Sequence, residues 1–357
     1  MKLVYYITSH GYGHAVRSCA ICNCLSPQTQ LVVRTLLPEA FFKYELTRPF
    51  TYAPRAFDCG CVQPDGVTVD VERTIAAYKK IADANAAALA GEAQWLVDNG
   101  IDGIVSDIAP FAFEAARRAG IASVAATNFT WYDIYKEYCE VVPDFLPYLE
   151  KIKTQYGLAD LLLALERPIS MDYFKSRKRV GVVGRVGRMV REKIIAAFGV
   201  LPGKRLGLIY TGTFGMDSMA WQKLEGFREW EFFGIYPLPG NPANYHRFSK
   251  DQFRYQDLIA SVDVMVAKIG YGVYAECLLN GAPLLYLPRE GFAEYPVLDA
   301  AIRQWGSGYC LSREEYYALK WEVALDAVVF KKRPMPVPSD GAPQCAKAIE
   351  ELVEKLR

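Results

Sequence analysis

Two of the three histidines in the chain lie in one short loop, Ser9-His10-Gly11-Tyr12-Gly13-His14, directly after the apolar run Leu3-Val4-Tyr5-Tyr6-Ile7. An imidazole can take or give a proton near neutral pH, which makes His14 and then His10 candidates for a general base. A strand, a loop carrying Gly11 and Gly13, and then a helix also offer free backbone N–H groups and a positive dipole end to an anion. The alternative is a tight turn with surface histidines. Arg17, one turn into that helix, could neutralise a phosphate or point to solvent. Asp107 ends the buried run Gly103-Ile104-Val105-Ser106 and could orient His14, bind an acceptor or cap the next helix. Asp58, Gln63 and Asp65 crowd one loop with polar groups suited to a sugar or polyol, or simply to turn formation.

A second glycine loop, Lys268-Ile269-Gly270-Tyr271-Gly272, follows the apolar run Val262 to Ala267 and repeats the grammar of the first. Gly270 and Gly272 allow close backbone approach to a phosphate at a helix start. Glu276 falls one turn further on, where its carboxylate suits the two hydroxyls of a ribose or complements the helix dipole. Arg205 to Tyr210 reads as a strand feeding Thr211-Gly212-Thr213-Phe214-Gly215, which makes Gly212 and Thr213 candidates for the same ligand. Tyr12, Trp131, Phe214 and Tyr271 could stack on a base or sugar ring, or pack in the core. His246, on a turn-rich segment, reads as structural.

These residues need elements to hold them. In the first half, strands alternate with helices: Ala15 to Leu25 helical, Thr29 to Leu36 extended, Pro38 to Tyr44 helical, a loop over Pro54 to Val71, and a long helix from Val71 to Asn99. The strand Gly103 to Ser106, the helix Phe111 to Ala119 and the strand Ala122 to Ala126 follow, with a helical, aromatic stretch over 131 to 165. The second half restarts the pattern with strands at Arg205 to Tyr210, Glu231 to Leu238, Val262 to Ala267 and Pro283 to Leu287. The expected fold is α/β, two Rossmann-like domains whose parallel sheets face a central cleft. The expected boundaries are 1–170 for an acceptor domain, 171–190 for a linker, 191–340 for a nucleotide-sugar domain and 341–357 for a C-terminal helix.

Composition narrows the function classes. The chain has 357 residues, 52% hydrophobic and 23% charged, with a formal net charge of +1. Such balance argues against an electrostatic nucleic-acid binder. No apolar run reaches the roughly 18 residues of a membrane span, and Met1-Lys2 leads straight into a strand without a signal-peptide pattern, so the expected location is cytoplasmic. Phe41-Phe42-Lys43-Tyr44 is a candidate patch for peripheral membrane contact, with a packed helix as the alternative. The nine cysteines, including Cys59-Gly60-Cys61, lack the paired spacing of a zinc site and read as buried or incidental thiols; no metal and no cofactor are expected.

The run Asp263 to Gly281, with Gly270, Gly272, Glu276 and Asn280-Gly281-Ala282-Pro283, resembles the nucleotide-diphosphate-sugar motif of two-domain GT-B glycosyltransferases. It is similar to that of the murein N-acetylglucosaminyltransferase family. The resemblance implies that Glu276 binds the donor ribose, that Ile269 to Gly272 bind diphosphate beside Lys268, and that Pro288 to Pro296 read the donor sugar. Glu294 stands there without the glutamine that often follows. A second resemblance covers most of the chain. Ile7 to Arg17, Asp58 to Asp65, Ala119-Gly120-Ile121 and Thr127-Asn128-Phe129-Thr130-Trp131 are similar to the glycosyltransferase-like region of plant L-arabinokinases. No G-x-x-x-x-G-K-[ST] occurs, which argues against a P-loop kinase. The resemblance implies a glycosyltransferase moving a sugar from a nucleotide-diphosphate sugar, such as a UDP-sugar, to a hydroxyl, inverting and with His14 as base. Asn128, Asp58, Gln63 and Asp65 would then lie on the acceptor or phosphate side. An epimerase of the same fold and a non-catalytic sugar or nucleotide binder are the alternatives.

Overall fold

The computed structural model describes residues 1–64, 68–210, 219–329 and 333–357. The chain forms two compact units, one of residues 1–62, 69–184 and 339–357, the other of residues 63–68 and 185–338.

In the first unit seven parallel strands form one sheet: β1 (Lys2–Ile7), β2 (Gln30–Arg34), β3 (Thr51–Ala53), β4 (Gly103–Asp107), β5 (Ala122–Thr127), β6 (Leu161–Ala164) and β7 (Arg177–Arg179). Their order is β3-β2-β1-β4-β5-β6-β7. β4 and β5 are buried along their whole length, as continuous apolar runs in a parallel sheet covered on both faces should be. The chain order reverses between β1 and β4. Ile7 and Asp107 are register partners at the carboxyl ends of those two strands. In open parallel sheets this is where ligands bind, because the strand ends on either side turn into different loops and leave a crevice. The helix Tyr12–Cys22 follows β1, and the C-terminal helix Gly341–Leu356 packs against it and against β5.

The second unit repeats this with six parallel strands: β8 (Arg205–Tyr210), β9 (Trp230–Gly234), β10 (Tyr245–Arg247), β11 (Val264–Lys268), β12 (Leu284–Leu287) and β13 (Gly308–Cys310). The order is β10-β9-β8-β11-β12-β13. Its reversal lies between β8 and β11, so residues 269–272 leave the sheet at the corresponding crevice. The core on one face is aromatic, with Trp221, Trp230, Phe232 and Trp321 packed on Val264, Val266 and Leu285.

Two expectations differ from this fold. The stretch 131–165 is not helical throughout: Leu161–Ala164 is β6, a short apolar run that pairs with β5. Residues 171–190, expected as a linker, contain β7 at the edge of the first sheet. Of the two readings of Phe41–Tyr44, the packed helix is the one found: Phe41 and Phe42 are buried in the helix Glu39–Glu45, while Lys43 is exposed. No helix among the described residues is long and apolar enough to cross a membrane.

Candidate active site

His14 and Asp107 meet at the reversal point of the first sheet. Nδ1 of His14 lies 3.0 Å from Oδ1 of Asp107, and the imidazole is 11% exposed while the carboxylate is fully buried. Asp107 thus lies against His14, and it does not cap the next helix, which starts at Pro110 without a side-chain cap. The histidine ring rests edge-on against Phe129, at 5.8 Å, and near Trp131, at 6.4 Å.

Arg17 is neither a phosphate ligand at the surface nor solvated. It is 3% exposed, and it grips Asp107 through Nε to Oδ2 at 2.9 Å and Nη2 to Oδ1 at 2.5 Å. Its Nη1 donates to Asn128 Oδ1 at 2.7 Å, and Ser18 Oγ donates to Asp107 Oδ2 at 3.1 Å. A buried guanidinium needs a carboxylate partner, and Asp107 across the β1–β4 pair supplies it. Asn128 likewise serves this buried network through its Oδ1.

Nδ1 of His14 is also 3.0 Å from Arg17 Nη2. The two hydrogens of Nη2 are used by Asp107 Oδ1 and by Thr127 Oγ1 at 3.2 Å. His14 therefore donates its Nδ1 proton to Asp107, which leaves the Nε2 lone pair to accept one. His10 has the opposite arrangement. Its Nδ1 accepts from the Cys61 N–H at 3.2 Å, which puts the proton of the neutral ring on Nε2. Gly60, at φ +61, makes room for this ring, since a Cβ there would fall 2.2 Å from His10 Nδ1.

Burial alone would raise the Asp107 carboxyl, but Arg17 and then His14 more than offset it and hold it at about 2, against an ordinary 3.8. A depressed folded value means that this stabilisation is complete above the ordinary value and disappears as pH falls through about 2. It is worth roughly 2 kcal/mol. Urea midpoints are expected to fall between about pH 4 and about pH 2, and to fall less steeply in Asp107→Asn.

Asp58 does not face a ligand with its carboxylate. It is buried, accepting from Thr8 Oγ1 at 2.6 Å and from Trp131 Nε1 at 3.1 Å, and burial pushes its carboxyl up. It ties the β1 exit loop to the start of the helix Trp131–Tyr135. Gln63 belongs to the second unit, so the structure does not group it with Asp58; Asp65 lies outside the described residues. The helix expected from Ala15 starts earlier, at Tyr12, so Gly13 and His14 lie in its first turn and only Gly11 stays in the loop; a Cβ on either glycine would meet nothing within 4 Å. Cys59 stays a thiol, pushed up to about 12 by burial, and among the described residues no cluster of three His, Cys, Asp or Glu side chains could hold a metal ion.

In the second unit the helix Tyr271–Asn280 starts at Gly270, and Lys268 ends β11. Glu276 is buried, and Arg185 holds it in a bidentate pair, Nε to Oε1 at 2.5 Å and Nη2 to Oε2 at 3.2 Å. The sequence missed this partner, which stands 91 residues upstream in an irregular segment. Arg289, within the segment Pro288 to Pro296 expected at the donor sugar, has Nη1 3.8 Å from where a Cβ on Gly270 would sit and so brings a cation to the glycine loop. Glu294 is buried at the start of the helix Tyr295–Trp305. Ile269 and Tyr271 are buried, as is Trp131 in the first unit, while Tyr12 is exposed. Gly212, Thr213 and Phe214 lie outside the described residues. His246 pairs with Glu231 at 2.8 Å between β9 and β10, away from the reversal point, in keeping with a structural role.

Two parallel sheets with their loops arranged in this way define the GT-B fold of glycosyltransferases, and solved structures of that fold superpose on the chain. The glycotransferase of kitacinnamycin does so with a TM-score of 0.63 and 14% identity, over 100% of this chain and 94% of that one. A putative UDP-N-acetylglucosamine 2-epimerase from Listeria monocytogenes gives a TM-score of 0.62 and 12% identity, over 99% of this chain and 97% of that one. At these identities the likeness is one of fold. Among curated proteins, L-arabinokinase of Arabidopsis thaliana is 29% identical over 340 residues, 93% of this chain and 32% of that protein. The chain thus spans about a third of the length of this relative. No protein-family model matches the chain.

Proposed function

We infer that the chain transfers a sugar from a nucleotide-diphosphate sugar, most simply a UDP-sugar, to a hydroxyl acceptor, with inversion and without a metal or cofactor. The observation that carries this reading is the His14–Asp107 contact between the first turn of the helix after β1 and the carboxyl end of β4. In the proposed reaction His14 Nε2 removes the acceptor proton as the acceptor oxygen attacks the anomeric carbon, and the nucleoside diphosphate leaves. Asp107 keeps the tautomer and balances the imidazolium that forms. On the second unit, backbone N–H groups from 269–272 and the Arg289 cation would take the diphosphate, and Glu276 the ribose.

Arg185 supports the last assignment. A carboxylate beside a diphosphate would repel it, but Glu276 is neutralised by Arg185, and each of its oxygens retains a lone pair for a ribose hydroxyl. Glu276→Gln weakens both bonds. A charge-assisted hydrogen bond contributes about 1.5–3 kcal/mol, so donor affinity is expected to fall roughly tenfold to a hundredfold in calorimetry.

The fold shared with the putative 2-epimerase favours a second reading, in which the nucleotide sugar itself is epimerised. NMR of a reaction holding only a UDP-sugar separates the two. Transfer leaves the donor sugar configuration unchanged until an acceptor is added, whereas epimerisation converts it without one. A protein that binds the donor but turns over nothing with any acceptor would be the non-catalytic binder.

A further inference from the structure

The residue directly after Asp107 is strained. Ile108 has φ +74, and of the non-glycine residues in left-handed backbone among the described residues (Ile108, Arg167, Asn241 and Leu319) it is the β-branched one. A branched Cβ collides with its own backbone there, whereas glycine would adopt the same angles without cost. Such a conformation persists only when its surroundings over-determine it.

The surroundings are two buried hydroxyls. Tyr156 Oη donates to the Ile108 carbonyl at 2.5 Å, and Ser106 Oγ donates to the Ala109 carbonyl at 2.8 Å. The same Tyr156 oxygen accepts from the Trp131 backbone N–H at 3.2 Å. Burial pushes the Tyr156 hydroxyl well above its ordinary range, so it stays protonated and able to donate. Trp131 in turn holds Asp58 through its indole N–H, and its ring lies edge-on to His10 at 5.4 Å and beside His14 at 6.4 Å. One hydroxyl therefore joins the turn that carries Asp107 to the aromatic floor under both histidines.

We propose that Tyr156 is a positioning residue: its hydroxyl clamps the strained Asp107–Ile108 turn to Trp131 and so keeps Asp107 Oδ1 on His14 Nδ1. The inference rests on His14 being the base. Without the clamp, the turn relaxes toward ordinary backbone angles, and Asp107, which is rigidly joined to it, shifts relative to His14. Arg17 does not replace the clamp, because it holds the carboxylate from the helix side and leaves the backbone of the turn free.

The test is the ¹⁵N spectrum of the imidazoles, which is tractable in a chain with three histidines. Tyr156→Phe loses one oxygen and keeps the ring contacts with Phe113, Tyr173 and Phe174. In the folded variant His14 is expected to change from a single Nδ1–H tautomer to a mixture, while His246 in the second unit stays unchanged. Where turnover is measured, kcat should fall roughly 10- to 100-fold with the donor KM unaltered. A folded Tyr156→Phe protein with the wild-type His14 spectrum overturns the proposal. If that variant does not fold, Tyr156→Phe is made together with Ile108→Gly, since glycine holds these angles without strain; a single Nδ1–H tautomer of His14 is then expected, and a mixture overturns the proposal. The proposal is read from the change on substitution and the base role from the wild-type tautomer, so the two fail separately.

Discussion

Replacing His14 by alanine is expected to lower kcat by roughly 10²–10⁴-fold while leaving the affinity for the nucleotide sugar unchanged. The loss follows from removing the Nε2 lone pair, which the His14 tautomer leaves ready for a proton, whereas the His10 ring already accepts through Nδ1. Donor affinity is spared because the groups proposed to bind it, Glu276, Arg289 and the loop 269–272, belong to the second unit. The fold is spared too: without the imidazole, Asp107 keeps its bonds from Arg17 and Ser18. Asp107→Asn should lower kcat by a different route. An amide can turn its NH2 toward Nδ1, which favours the tautomer with the proton on Nε2. Initial rates with donor binding measured in parallel check both variants. An equal loss of donor binding in His14→Ala would place the histidine in the donor site instead.

The second large effect is on stability. Arg17→Ala is expected to destabilise the first unit by roughly 3–5 kcal/mol, because it strands the Asp107 carboxylate in a fully buried position. It also leaves Asn128 Oδ1 without its Arg17 donor. Arg17→Lys should recover part of this, since one ammonium restores charge but cannot span both carboxylate oxygens. Urea unfolding measures the difference. Had Arg17 been a phosphate ligand at the helix start, as its position in the sequence allowed, alanine would weaken ligand binding and leave stability nearly untouched.

That contrast marks how far the sequence could be read. The glycine loops, the strands that precede them and the alternation of strands and helices carry strong periodic signals, and both loops do lie at the reversal points of parallel sheets. Asp107 could be picked from its place at a strand end, and His14 from the glycine-rich stretch after β1 and the family resemblance it carries. Their contact, 93 residues apart, follows once β1 and β4 are neighbours. Arg17 and Asp58 were harder, because a charged side chain reads as exposed until its buried partner is known. Arg17's partner is 90 residues away, and Asp58 is held by Thr8 and Trp131 from two other segments. Arg185, in an irregular stretch with no periodicity, carried no signal pointing to Glu276. β6 was hidden because four apolar residues after a helix extend its pattern as readily as they start a strand. The strain at Ile108 had no sequence signature at all, since isoleucine is the last residue type expected in left-handed backbone.

The central claim, nucleotide-sugar binding coupled to a His14 base, is tested most directly by titrating UDP-, GDP- and dTDP-sugars into the wild-type protein and into His14→Ala in a calorimeter. At least one UDP-sugar is expected to bind saturably, with the same dissociation constant in both proteins. Absence of heat with every member of the panel would contradict it.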